Sequence, residues 1–157
     1  MKSVLAIDPG PEQSAWIIWD GKEIVDFNLT YNDNVLLKCG CYHTGDGQVF
    51  IEEVQCYGMP VGKSIFETVF WSGRFCEAFN GKWHKLPRRE VKLHLCQQVR
   101  AKDSNVTQAL VDRFAPYTRN KGKGTKKEPG FFFGFKKDIW QAFALAVTWW
   151  DQNKDNE

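Results

Sequence analysis

The sequence predicts an α/β fold with a central mixed five-stranded sheet flanked by helices. Val4 to Ile7 is apolar at every position, the pattern of a central strand covered by helices on both faces. Asp20-Gly21 separates two strand-like runs and is a type I′ hairpin signal, so the first strands are expected antiparallel. Short strand patterns then alternate with helix-period segments, the last of which carries Ala142, Leu145, Ala146 and Trp149 on one stripe.

The elements are expected in the following order. Val4 to Ile7 is the first strand, and Asp8-Pro9-Gly10 turns the chain at its exit. Ser14 to Asp20, rich in Trp and Ile, is the second, and Glu23 to Leu29 returns as the third. Tyr31 to Cys41 reads ambiguously, with a short helix as one option. Gln48 to Val54 is a fourth strand. After the turn "YGMPVG", Lys63 to Phe79 places Phe66, Phe70 and Gly73 on the apolar face of a long helix. Gly81 to Leu86 is a fifth strand and Arg88 to Gln98 a short helix. Asp103 or Ser104 caps a helix running to about Phe114. Tyr117 to Pro129 is a break, and Asp138 to Asp151 the closing helix. No repeat or linker divides the chain, so residues 1–157 are expected to form one domain.

With 21 basic and 19 acidic residues, the net charge is only +2. Any nucleic-acid footprint must therefore be local. No run reaches the ~18 apolar residues of a membrane span, and the N-terminus lacks a signal-peptide layout. Five cysteines, an odd number, suit a reducing compartment better than a disulfide framework, so a cytoplasmic location is expected. Cys39-x-Cys41-x-His43 has a zinc-ligand look, but no second pair has structural-zinc spacing, which favours free thiols. Seven tryptophans and twelve phenylalanines leave material for both core and contact surface.

The carboxylates carry the functional expectation. Asp8 shares a strand face with Val4 and Ala6 and lies at the carboxyl end of a central strand, where open α/β sheets place ligands. Glu52 shares its face with Phe50 and Val54, Glu53 with Val49 and Ile51. Either one interrupts a buried pattern, and a buried charge requires a compensating partner. Asp138 opens the last helix, with capping-box spacing to Gln141 and a direction toward the sheet. Acids converging from two strands and a helix suit a hard divalent cation such as Mg²⁺. Two such ions about 4 Å apart clamp the attacking and leaving oxygens of a phosphodiester.

Three blocks in order carry a resemblance. "LAIDPGPEQSAWIIWDG", "FIEEVQCYGMPVGKSIFETVFWSGRF", and "AKDSNVTQALVDRF" followed by "GFKKDIWQAFALAVTWWD" resemble the RuvC-type Holliday-junction resolvases, particularly the bacteriophage versions, which have the RNase H-like fold. The resemblance implies a homodimer that binds four-way DNA junctions. Each subunit would nick one strand using Mg²⁺ or Mn²⁺, leaving 5′-phosphate and 3′-hydroxyl ends. If phage-encoded, the chain would act in the host cytoplasm. Asp8, Glu52 and Asp138 match the family's acids, and Glu52 matches better than Glu53. Gln141 stands where the family has a fourth carboxylate, so the implied metal set is Asp8, Glu52, Asp138 and Gln141. Glu53 or Asp103 could replace the missing charge. Gln141 also keeps open a protein that binds junctions without cutting them, and an RNase H-like nuclease of broader taste (flaps, forks, RNA–DNA hybrids) is a further option.

"RNKGKGTKK" holds five cations and no acid. Arg119, Lys121, Lys123, Lys126 and Lys127 are therefore expected to form a mobile phosphate-binding loop beside the acids. Lys102 and Arg113 are further phosphate candidates. Lys85, Arg88 and Arg89 read as a solvated helix start. Tyr57 and Met59, in the turn after the second acid, are candidates for stacking on DNA bases, whereas Phe66 and Phe70 read as core or dimer interface.

Overall fold

A computed structural model describes residues 3–42 and 47–153. Five strands, β1 (Val4–Asp8), β2 (Gln13–Trp19), β3 (Ile24–Tyr31), β4 (Gln48–Glu53) and β5 (His84–Pro87), form one sheet in the order β3-β2-β1-β4-β5. β1–β2 and β2–β3 pair antiparallel, while β1–β4 and β4–β5 pair parallel. The sheet is mixed, as expected. Five helices complete the chain: α1 (Asn32–Cys41), α2 (Lys63–Ala78), α3 (Arg88–Cys96), α4 (Asp103–Phe114) and α5 (Ile139–Asn153). The ambiguous segment after β3 is therefore helical.

Period-two alternation sends the sheet's side chains into two cores. Val4, Ala6, Ile17 and Phe50 pack with α4 and α5 on one face. Leu5, Ile7, Trp16, Ile18, Val49 and Ile51 pack with α1 and α2 on the other. β1 is buried at all five positions, which is why it reads as a continuous apolar run. The last helix exceeds its predicted stripe. All residues from Ile139 to Trp149 are buried, because α5 lies between the sheet, α3, α4 and an aromatic segment that includes Phe132 and Phe135. A dense aromatic cluster sits here: Phe132 lies against Phe135, Trp140 and Phe143, and Trp19 against Phe114 and Phe143.

Three local expectations change. Only Gly21 of the Asp20–Glu23 turn has positive φ (94°), which matches type II′ rather than I′, and Asp20 Oδ1 accepts from the Lys22 and Glu23 amides. The inward face of α2 is Thr68, Ser72, Phe75 and Cys76, not Phe66 and Phe70, which are exposed. The basic loop is not loose. Gly130 N donates to Lys123 O at 2.8 Å and Phe132 N to Gly122 O at 3.0 Å, and Gly124 bridges to Pro129. A Cβ on Gly124 (φ +66°) would stand 2.3 Å from Glu128 O, so this turn requires glycine.

His43 of the Cys39-x-Cys41-x-His43 set lies outside the described residues. Burial pushes the Cys39 thiol up to about 12, which disfavours the thiolate a metal needs. All five cysteines are free thiols. Among the described residues no helix is long and apolar enough to cross a membrane.

Candidate active site

The parallel register of β1 and β4 ends at Ile7 beside Ile51. One residue further, Asp8 and Glu52 leave adjacent strands on the same face, because Asp8 follows Val4 and Ala6 and Glu52 follows Phe50. Glu53 takes the opposite face and accepts a hydrogen bond from the Gln55 amide at 3.0 Å. Strand alternation thus separates the two neighbouring acids.

The chain beyond Asp8 is fixed by a buried polar chain. Gly10 N donates to Ser14 Oγ (3.0 Å), Ser14 Oγ donates to Asn32 Oδ1 (2.6 Å), and Asn32 Nδ2 donates to Gly10 O (2.9 Å). Asn32 is 2% exposed. A Cβ on Gly10 would fall 2.2 Å from Gln13 O, so only glycine lets the turn close this tightly. Sequence reading misses Ser14 and Asn32. Neither belongs to an acid or basic pattern, and their meeting depends on how β2 and α1 dock.

Between Asp8 and Glu52 stands Arg88, the first residue of α3. Its Nη2 lies 3.4 Å from Asp8 Oδ2, its Nε 3.0 Å from Glu52 Oε1, and its Nη1 3.6 Å from Asp103 Oδ2. Arg88 is thus an ion-pair partner of the acids and not part of a solvated helix start. The usable signal is positional: β5 pairs with β4, and Glu52 stands opposite Leu86, so the cation leaving β5 emerges beside the second acid. Burial pushes the Asp8 carboxyl well above the usual range, the Glu52 charge pushes it further, and Arg88 pulls it back. Burial also raises Glu52, against Arg88. Burial alone would lower Arg88, but the carboxylates of Glu52, Asp8 and Asp103 hold its pKa above the ordinary value.

A cleft of about 390 Å³ collects Asp8, Glu52, Glu53, Tyr57, Arg88 and Asp138. Asp138 is at the rim. Its carbonyl accepts from the Gln141 and Ala142 amides at 3.0 Å each, which makes it the cap residue of α5, and its side chain is exposed. Its charge raises both Asp8 and Glu52. The expected convergence is therefore incomplete. Among the described residues, no three His, Cys, Asp or Glu side chains group closely enough to hold one metal ion. Gln141 is buried (6% exposed) and is absent from the cleft wall. The chemistry of the donors nevertheless fits a hard divalent cation: the buried carboxylate of Asp8 and the half-buried one of Glu52 supply oxygens, and their charge demands a positive partner, which here is Arg88.

Tyr57 lines this cleft, and Met59 lies on the adjoining one. Arg119, Lys121, Lys126 and Lys127 are exposed and Lys123 half-buried, on a loop outside the cleft wall. Lys102 is exposed at the start of α4. Arg113 is committed elsewhere: it pairs with Asp151, which also meets His94 Nε2 at 2.8 Å.

No family model and no curated relative matches the sequence. Solved structures do. The Thermus thermophilus RuvC structure superposes with a TM-score of 0.63 at 14% identity, covering 97% of this chain and 96% of that one. The fold is that of RuvC. T. thermophilus RuvC in complex with Holliday junction substrate gives a TM-score of 0.61 at 14% identity, covering 93% of this chain and 91% of RuvC. The RuvC likeness thus spans the sheet and the flanking helices, and agrees with the RNase H-like α/β class read from the sequence.

Proposed function

We propose that the chain is a metal-dependent endodeoxyribonuclease that resolves four-way DNA junctions and other branched DNA by paired nicks, acting as a homodimer. One observation carries this reading: Asp8 and Glu52 leave adjacent parallel strands on one face and share a cleft with Asp138, within a RuvC fold. The bound junction of the T. thermophilus structure supports branched DNA as the substrate class.

In this mechanism Asp8 and Glu52 would hold Mg²⁺, or Mn²⁺ in its place, with Asp138 at the rim. The cation would supply Lewis-acid polarisation of the scissile phosphodiester. The turn that follows Asp8 is held by the hydrogen bonds among Gly10, Ser14 and Asn32, which fixes where the chain leaves the end of β1. Arg88 neutralises the pair. Tyr57 and Met59 stand where unpaired bases at a branch could stack. Lys102, Arg119, Lys121, Lys123, Lys126 and Lys127 position the DNA arms by pairing with phosphates. Arg113 is held by Asp151 and would have to leave that carboxylate to pair with a phosphate.

The test is cleavage of a labelled four-way junction against linear duplex in Mg²⁺ and Mn²⁺. The expected result is paired nicks near the branch, lost in Asp8→Asn. Undiminished cutting by Asp8→Asn would remove the site. Replacing Lys121, Lys123, Lys126 and Lys127 by Ala is expected to flatten the salt dependence of junction binding, by about one unit of slope for each phosphate left without its cation. An unchanged slope takes the loop off the DNA surface.

Arg88 between the acids and Gln141 away from the cleft wall favour a second reading, a junction-binding protein impaired in cleavage. Gln141→Asp separates the two. If the unmodified chain cuts, the first reading holds. If only the Asp form cuts, the second does.

A further inference from the structure

Beside the acidic cleft lies a second one of about 680 Å³, a volume within the ~300–1,000 Å³ of small-ligand pockets. Its wall holds Arg88, Arg89, Lys92 and Arg100 with Tyr57 and Met59, and no carboxylate. Arg89 and Arg100 are exposed, and among the described residues neither forms an ion pair. Lys92 is half-buried, 3.3 Å from Asp103. Like charges gathered in a concavity repel one another and favour an anion.

The two clefts share Tyr57 and Arg88. Tyr57 has φ +50° and Gly58 φ +78°, in a turn closed by Met59 N donating to Cys56 O. A left-handed backbone at a tyrosine is strained and persists only where the surrounding structure holds it. Arg88 belongs to both environments: its guanidinium contacts Asp8 and Glu52 on one side, and it walls the basic cleft on the other.

We propose that this second cleft binds a backbone phosphate of the strand that the acidic cleft engages. Arg88 completes the anion site once a divalent cation has replaced it between Asp8 and Glu52. The proposal rests on the nuclease reading. It adds Arg89, Lys92 and Arg100 as the phosphate-holding residues, and Arg88 as the link between the two ligands. Linkage is reciprocal. A cation that frees Arg88 strengthens DNA binding, and DNA that draws Arg88 away strengthens cation binding.

Two measurements on the full chain test it. The first is fluorescence anisotropy of a labelled four-way junction across a salt series, in EDTA and in Ca²⁺. The second is Mn²⁺ affinity without DNA, read from the EPR signal of the free ion. Arg89→Ala/Arg100→Ala is expected to weaken junction binding about ten-fold and to lower the salt slope by about two, with Mn²⁺ affinity and melting temperature unchanged. Unaltered binding and slope would overturn the phosphate cleft. Arg88→Ala is expected to bind Mn²⁺ about ten-fold tighter, a change of about 1.4 kcal/mol, and to lose the Ca²⁺ enhancement of junction affinity. Unchanged Mn²⁺ affinity, or an intact Ca²⁺ effect, would overturn the link through Arg88. The nuclease reading fails separately, when the unmodified chain neither cuts a junction nor prefers it to linear duplex.

Discussion

Asp8 is 6% exposed and sits at the end of a fully buried strand, a position where stability and the proposed chemistry oppose each other. Its carboxyl is raised by burial first and by the Glu52 charge second, with Arg88 opposing. A carboxyl raised on folding contributes stability that is fully present below its unfolded value, near pH 4, and is lost as pH rises through the folded value. Asp8→Asn removes that loss and leaves Arg88 with Glu52 and Asp103. Thermal melts are expected to show the variant close to the wild type near pH 4 and increasingly more stable toward pH 7. A variant less stable at pH 7 than at pH 4, relative to wild type, would mean that Arg88 holds Asp8 more firmly than burial penalises it. The acid itself is legible in the sequence, since an apolar strand ending in Asp-Pro-Gly announces it. The choice between Glu52 and Glu53 needs the face of the sheet, which only the partner strand fixes.

Among the elements, α3, α4 and α5 are tied at one end by Asp151, whose side chain is 10% exposed and meets Arg113 and His94. Burial alone would raise Asp151, but hydrogen bonds from Arg113 and His94 outweigh it and hold the carboxyl below its ordinary value. A carboxyl lowered on folding contributes stability above its unfolded value, lost as pH falls through the folded one. Arg113→Ala is therefore expected to cost about 1 kcal/mol at neutral pH and progressively less below about pH 4, as read from urea melts across pH. A pH-independent loss would mean that Arg113 acts through its packing over the Phe114 ring. The helices are legible from their periodicity, yet this tie is not, because residues 94, 113 and 151 lie on different helices that meet only on folding. The basic loop misleads for a related reason. Glycine and lysine read as loose chain, whereas Gly122, Gly124 and Gly130 are small so that the loop can interlock: a Cβ on Gly130 would stand 2.3 Å from Gly122 O.

For the molecule as a whole, strand order and helix placement follow from a few strong signals: a two-sided apolar strand, a hairpin turn and a closing helix. What periodicity leaves undetermined is the surface an apolar stripe faces. Phe66, Phe70 and Gly73 do share a face of α2, as their spacing requires, but that face points outward. Phe66 and Phe70 are 64% and 63% exposed, and Val69 between them is 49% exposed. A Cβ on Gly62 or Gly73 would meet nothing within 4 Å, so no neighbour within the chain explains those small residues. An apolar helix face with glycines at both ends suits close approach of a second helix, and the proposed homodimer supplies one from a second copy. Phe66→Glu/Phe70→Glu places like charges at the centre of such an interface, where their mutual repulsion and desolvation oppose association. Sedimentation is expected to show a dimer for the unmodified chain and a monomer for the variant, with the melting temperature of the monomer close to that of a helix whose inward face is intact. Because a junction needs two opposed cuts, the variant is expected to leave single nicks where the dimer leaves pairs. A monomeric wild type, or a variant that still sediments as a dimer, would move the interface off α2 and leave its exposed phenylalanines as a surface for DNA.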